Sequence, residues 1–289
     1  MTQTLSRRDL LRSGLGLAAL AAVPRFTWAQ DRKIPVSVQL YSVRDFCSKD
    51  FDAALKQIAE MGFQGVEFAG YHKYGNDGQG LRKKLDELGL KAAATHIGAG
   101  SFTGDALKKT IEFHKTIGCT LLICPGDKRF TDAEKSKEFA DLFNKAAEQL
   151  KPEGLYCGYH NHAHEFSKTG ETTWWDLFAE RTSKDVVLQQ DAGWTIAAGK
   201  DPAEYARKYP GRTKTTHIKS KLPKGSTGLK PLLGQAGFDW KPNIKACYEV
   251  GGTEWFTIEQ EEYPDKMPSM DATKISLDNF KKILKEMGK

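Results

Sequence analysis

What this chain lacks narrows it first. Its N-terminal apolar stretch, Leu15 to Val23, falls well short of the roughly 20 residues a membrane-spanning helix needs. No Gly-x-Gly-x-x-Gly turn follows its first strand-like segment, which argues against an open dinucleotide-binding sheet. Cysteine is scarce and odd in number, and Cys47, Cys119, Cys124, Cys157 and Cys247 show no paired spacing. Neither a disulfide framework nor a thiolate metal site follows from them. Several sit in apolar runs, where a free thiol behaves as a small buried hydrophobe. Histidine is sparse too, seven in 289 residues, yet three fall within five positions in His160-Asn161-His162-Ala163-His164. His160 and His162 lie two apart, so an extended backbone points both the same way. That pair is either the start of a metal or acid–base site or a polar loop whose imidazoles satisfy one another.

The first thirty residues stand apart from the rest. Ser6-Arg7-Arg8-Asp9-Leu10-Leu11-Arg12 is a twin-arginine element ahead of the short apolar stretch, and Thr27-Trp28-Ala29 carries small residues where signal peptidase reads. Residues 1–29 therefore read as a signal peptide of the Tat type, cleaved after Ala29, with an uncleaved N-terminal anchor as the alternative. The expected location is the periplasm or the exterior, with no membrane attachment after cleavage. Cleavage would remove four basic residues and one acid, leaving 39 basic and 36 acidic side chains, net about +3. Such a balance gives no reason to expect nucleic acid or an anionic membrane as a partner. Oligomeric state stays open, a homo-oligomer included.

From residue 34 onward, short strand-like runs alternate with helical ones. Strands are expected at Ile34 to Tyr41, Gln64 to Phe68, Lys91 to His96, Thr120 to Cys124, Leu155 to Tyr159, Val186 to Asp191, Thr213 to Lys219 and Thr253 to Glu259. Helical spacing between them is punctuated by Gly62, Gly89 and Gly118. A long helix is expected over Asp132 to Leu150, with Thr131 as its cap and Glu134 completing a capping box. Eight β–α units in about 250 residues imply an α/β protein, a (β/α)8 TIM barrel over residues 30–289.

In such a barrel the site is built at the C-terminal ends of the strands. Those ends carry Glu67, His96, His160, His162, Asp191, His217 and Glu259. Each alone has a plain explanation, since an aspartate often caps the next helix. Convergence of all of them on one mouth points to a divalent-metal site. Trp194 and Trp255 offer ring faces on which a ligand could stack, or else pack between strand and helix. Lys219, Lys221 and Arg44 are candidates to hold hydroxyl or carboxylate groups.

The runs Gly65-Val66-Glu67, Tyr159-His160-Asn161-His162, Asp191-Ala192-Gly193-Trp194, Thr216-His217-Ile218-Lys219 and Ile258-Glu259 resemble those of the xylose isomerase-like TIM-barrel family. That family includes sugar isomerases and epimerases, inosose dehydratases and related lyases. The resemblance implies a divalent ion held by side chains of strands five to eight, here Asp191, His217 and Glu259 on the last three. The fifth-strand ligand aligns as His160 where the ketose 3-epimerases have glutamate, with Glu165 as the alternative. A set of two histidines and two carboxylates suits Mn2+, Co2+ or Zn2+ better than Mg2+.

By the same resemblance, Glu259 removes a proton beside a sugar carbonyl. The second proton carrier is His162, His96, Glu165 or Glu67. The substrate is a small sugar, contacted by Trp194, Lys219, Glu165 and Trp255. Three functions are weighed: a metal-dependent sugar isomerase or epimerase, a lyase or hydratase acting on a keto-sugar such as a 3-keto-glycoside, and a non-catalytic sugar-binding barrel. A DNA-repair barrel of the endonuclease IV type would need more histidine ligands and a basic face.

Overall fold

A computed structural model describes residues 33–222 and 225–289. The signal-peptide reading of residues 1–29 lies outside them. Eight parallel strands close into a barrel in the spatial order first, eighth, seventh, sixth, fifth, fourth, third, second. They run Val36–Gln39, Gly65–Phe68, Lys91–His96, Leu121–Cys124, Tyr156–His160, Val187–Asp191, Thr215–Lys219 and Trp255–Glu259. Each expected strand is present, within two residues of its expected ends; the first ends at Gln39 because a 3-10 turn takes over at Leu40. Among the described residues no helix is long and apolar enough to cross a membrane.

Alternation along each strand sorts the side chains. On the fifth strand Tyr159 points outward, where Phe130 stacks on it at 4.2 Å and Phe139 meets it edge-on at 5.8 Å. Its neighbour His160 points inward. The lower interior is apolar, with Ala94, Leu121, Ile123 and Val187 in contact and Trp255 packed against them. Above it hydroxyls bond one another, Ser37 to Thr257 at 2.9 Å and Thr215 to Thr257 at 3.2 Å. Gly158 shows how closely the strands approach here. A Cβ on it would lie 2.4 Å from the Val187 carbonyl oxygen, so only glycine fits.

Helix starts follow the expected chemistry in most places. Asp50, Asp77, Thr173, Asp191 and Asp201 each accept a backbone N–H of the first turn that follows them. The long fifth helix is an exception, running Ser136–Leu150 instead of starting at Asp132. A 3-10 turn over Lys128–Thr131 takes up the chain first, and Asp132, not Thr131, accepts from the amides of Glu134 and Lys135. The closing helix, read from the sequence as Ile275 to Met287, spans Ser269–Glu286.

Arg212 ties the underside of this half together. Its buried guanidinium donates to the carbonyls of Val186 (2.9 Å) and Ala179 (2.7 Å) and to the Thr182 hydroxyl (2.7 Å). Burial pushes its pKa down to about 10, so it stays charged at neutral pH. Arg212→Met would fill similar space but leave three acceptors without their donor. The expected loss is about 3 kcal/mol or more, a fall of roughly 6–12 °C in the unfolding midpoint. A midpoint within two degrees of wild type would contradict this assignment.

Candidate metal centre

His160, Asp191, His217 and Glu259, inward-facing residues at or near the ends of strands five to eight, bring one ligand atom each within 4.8 Å of one another. All four are buried. The hydrogen bonds around them fix which atoms face the centre. His217 Nε2 meets Glu67 Oε1 at 2.5 Å, while its Nδ1 faces Glu259 Oε2 at 2.9 Å and Asp191 Oδ2 at 3.8 Å. His160 Nδ1 donates to Gln189 Oε1 at 3.0 Å, which leaves Nε2 facing Asp191 Oδ2 at 3.9 Å. Asp191 Oδ1 accepts from the Trp194 amide at the start of the helix Ala192–Ala197. Asp191 Oδ2 is buried with no hydrogen-bond partner. The Lys219 ammonium stands 3.5 Å from it, an ion pair without a good hydrogen bond, so the oxygen still has a lone pair to offer a closer cation. Two imidazole nitrogens and two carboxylates around one point form a donor set that fits a divalent ion.

Charge at the site is mixed. Burial alone would lower the His217 pKa, but Glu67 and Glu259 raise it well above the ordinary histidine value, and a metal ion would have to displace that proton. Burial pushes the His160 pKa well below the ordinary histidine value, helped by His217, His96 and His162, so it is a neutral ligand. Burial alone would raise the Glu259 pKa, but Lys219 and His217 hold it well below the carboxylate range. Glu67 behaves alike, lowered against burial by His217 and His96. The Lys219 ammonium contacts Glu259 at 3.1 Å and Asp191 at 3.5 Å and pairs with Glu261.

A cavity of about 380 Å3 opens onto this cluster, with His96, His160, His162, Lys219 and Glu259 in its wall and Tyr41, Ala69 and Pro125 at its edge. His162 leans on Trp194 with ring centroids 5.5 Å apart, and burial lowers its pKa to about 4. It is therefore neutral at neutral pH and able to accept a proton. His96 stacks on His217 at 5.3 Å and bonds Gln189 at 2.7 Å. A larger cavity, about 500 Å3, lies between the helices Gly78–Leu88 and Gly104–Ile117 and holds none of these groups. The polar pair at its wall is internally satisfied, Tyr71 bonding His114 at 2.7 Å and Thr95 at 2.6 Å.

Several expected roles change. Glu165 is neither the fifth-strand ligand nor a sugar contact. Its loop folds into a 3-10 turn, His164–Phe166, and its buried carboxylate accepts from the His162 amide at 2.8 Å and the Tyr159 hydroxyl at 3.2 Å. Glu67 is no proton carrier at the mouth either, because it lies beneath His217 and is fully engaged by Gln39, Gln189, His96 and His217. Trp255 begins the eighth strand and sits at the barrel's opposite end, where Gly65 makes room for its ring. Arg44 lies over the Tyr41 ring at 4.3 Å, and Lys221 pairs with Glu262 at 2.6 Å. Two residues the sequence did not flag complete the support, Gln189 and Gln39; Gln39 also accepts from the Tyr41 amide.

Known proteins share this fold. Over 252 residues the chain is 25% identical to an inosose dehydratase from Geobacillus thermodenitrificans, covering 74% of this chain and 83% of that one. A solved sugar phosphate isomerase/epimerase from Parabacteroides distasonis superposes with a TM-score of 0.72 at 27% identity, covering 86% of this chain and 98% of that one. The IOLI protein, solved with a bound zinc atom, shares the fold at a TM-score of 0.64 and 14% identity, covering 88% and 99%. Residues 55–283 match the family described as xylose isomerase-like TIM barrel, and this chain belongs to that family.

Proposed function

We propose that this chain is a divalent-metal-dependent enzyme that removes a proton from the carbon next to a sugar carbonyl and expels a group from the adjacent carbon. The observation that carries this reading is the asymmetry of the site. Of the cluster's two carboxylates only Glu259 lines the cavity, where Glu261 beside it is paired with Lys219, and the fifth strand presents the imidazole of His160. Bound between His160, Asp191, His217 and Glu259, a divalent ion would supply Lewis-acid polarisation of the substrate carbonyl. Mn2+, Co2+ or Zn2+ suits this mixed donor set.

The residues divide the work as follows. Glu259 is held ionised and takes the α-proton. Breaking that C–H bond forms a carbon–carbon double bond as the neighbouring C–O bond breaks. The departing oxygen takes a proton from the imidazolium form of His162 or His96, both of which line the cavity; the ring picks that proton up from solvent beforehand and is left neutral. In a 3-keto-glycoside the departing group is the aglycone. In a simpler keto-sugar it is water, the type of reaction named in the dehydratase relatives. A second reading, isomerisation or epimerisation, is favoured by the Parabacteroides structures described as sugar phosphate isomerase/epimerases. It requires His162 or His96 to return the proton to carbon.

Incubating metal-loaded protein with keto-sugars and 3-keto-glycosides in D2O separates these outcomes. Elimination releases a fragment and leaves an unsaturated product. Deuterium in an intact isomer with no fragment would replace elimination by epimerisation. No exchange and no fragment across the panel would remove both.

A further inference from the structure

We infer that Gln189 is a positioning residue that sets the proton on the ring of His160, and with it the nitrogen offered to a metal. The inference rests on the metal reading of the centre. Gln189 and Gln190 are neighbours of the same type on the sixth strand, but alternation separates them. Gln190 points outward and donates to the Pro202 carbonyl at 3.1 Å. Gln189 points into the barrel and is fully buried.

Its side-chain amide makes contacts in two directions. Nε2 lies 2.6 Å from Glu67 Oε2 and 3.5 Å from the Thr215 hydroxyl. Oε1 lies 3.0 Å from His160 Nδ1 and 2.7 Å from His96 Nε2. Glu67 dictates which way round the amide sits. An ionised carboxylate only accepts, so the amide nitrogen must face it. Reversal would press the amide oxygen against Glu67 and both amide hydrogens against the imidazoles.

With the oxygen toward the rings, each facing nitrogen must carry a hydrogen. His160 is thereby the Nδ1–H tautomer with a bare Nε2, the atom that faces Asp191. His96 is the Nε2–H form. Glu67 works in the same way on His217, whose Nε2 it accepts from while Nδ1 faces the ligand cluster. One carboxylate thus orients two imidazole ligands, His217 directly and His160 through Gln189. The outer partners of metal-bound histidines commonly do this work, and their loss weakens metal binding about 10–100-fold.

Nitrogen-15 NMR of the metal-free wild-type protein reads the tautomers directly. His160 is expected as Nδ1–H and His96 as Nε2–H, whatever the variants do; a His160 proton on Nε2 overturns the inference. In Gln189→Met, whose side chain is unbranched and similar in length, His160 should shift toward the Nε2–H form. Its Co2+ affinity, from competition with a chelator, should fall about 10–100-fold. Gln189→Glu keeps an acceptor for both rings and should retain the His160 tautomer. Unchanged tautomer and affinity in Gln189→Met would show that Gln189 merely fills space. If the wild type binds no Co2+, the metal reading fails instead, and the tautomer assignment is judged on the NMR alone.

Discussion

Asp191→Ala and His217→Ala are expected to purify without bound metal while the barrel remains folded. Each supplies one of four ligand atoms, and losing a direct ligand should weaken affinity by more than the 10–100-fold typical of outer partners. Asp191 has a second duty, because its Oδ1 caps the helix Ala192–Ala197. Its removal should therefore also lower stability by about 1 kcal/mol. His217→Ala has no such duty at a helix end. Elemental analysis beside circular dichroism decides the matter, and full metal occupancy in both folded variants would sink the ligand assignment.

Glu259→Gln is expected to keep part of its metal and to lose proton transfer. The amide still presents an oxygen to the centre but cannot take a proton at neutral pH. The rate of solvent exchange at the activated C–H should fall by about 10²–10⁴-fold, the usual contribution of a positioned base. A companion change, His160→Glu, sets a second carboxylate across from the first. If the native reaction is elimination, fragment release should drop while slow epimerisation emerges; a native epimerase should instead keep its product. Wild-type exchange in Glu259→Gln would move the base to His96 or His162.

The clustering of His160, Asp191, His217 and Glu259 was legible in the sequence because strand alternation and barrel topology are local and chemical at once. An ionisable residue at the end of each of strands five to eight, facing inward, has one place to go. Errors came where distance along the strand or loop shape decided. Trp255 shares the inward face of Glu259, but four residues of extended chain put it about 13 Å lower. Glu165 lies in a loop whose 3-10 turn buries its carboxylate on the backbone, and no periodicity foretells that turn. Thr131 was the expected cap, but the 3-10 turn Lys128–Thr131 takes it up, and Asp132 accepts the amides of Glu134 and Lys135 in its place. Gln189 and Gln39 went unnoticed because a search for titratable groups passes over neutral amides. Their importance comes from what they leave protonated on their neighbours.

The four proposed ligands come from strands five to eight, whereas Tyr41, Ala69 and Pro125 line the cavity just beyond strands one, two and four. The two halves of the barrel are therefore free to change at different speeds. Swapping side chains or lengthening loops on the first half would reshape what fits without disturbing any ligand of the ion, provided Gln39 and Glu67 stay beneath. A library aimed at new substrates belongs at Tyr41, Ala69 and Pro125, and descent within such a family would diversify there while the other half is held fixed.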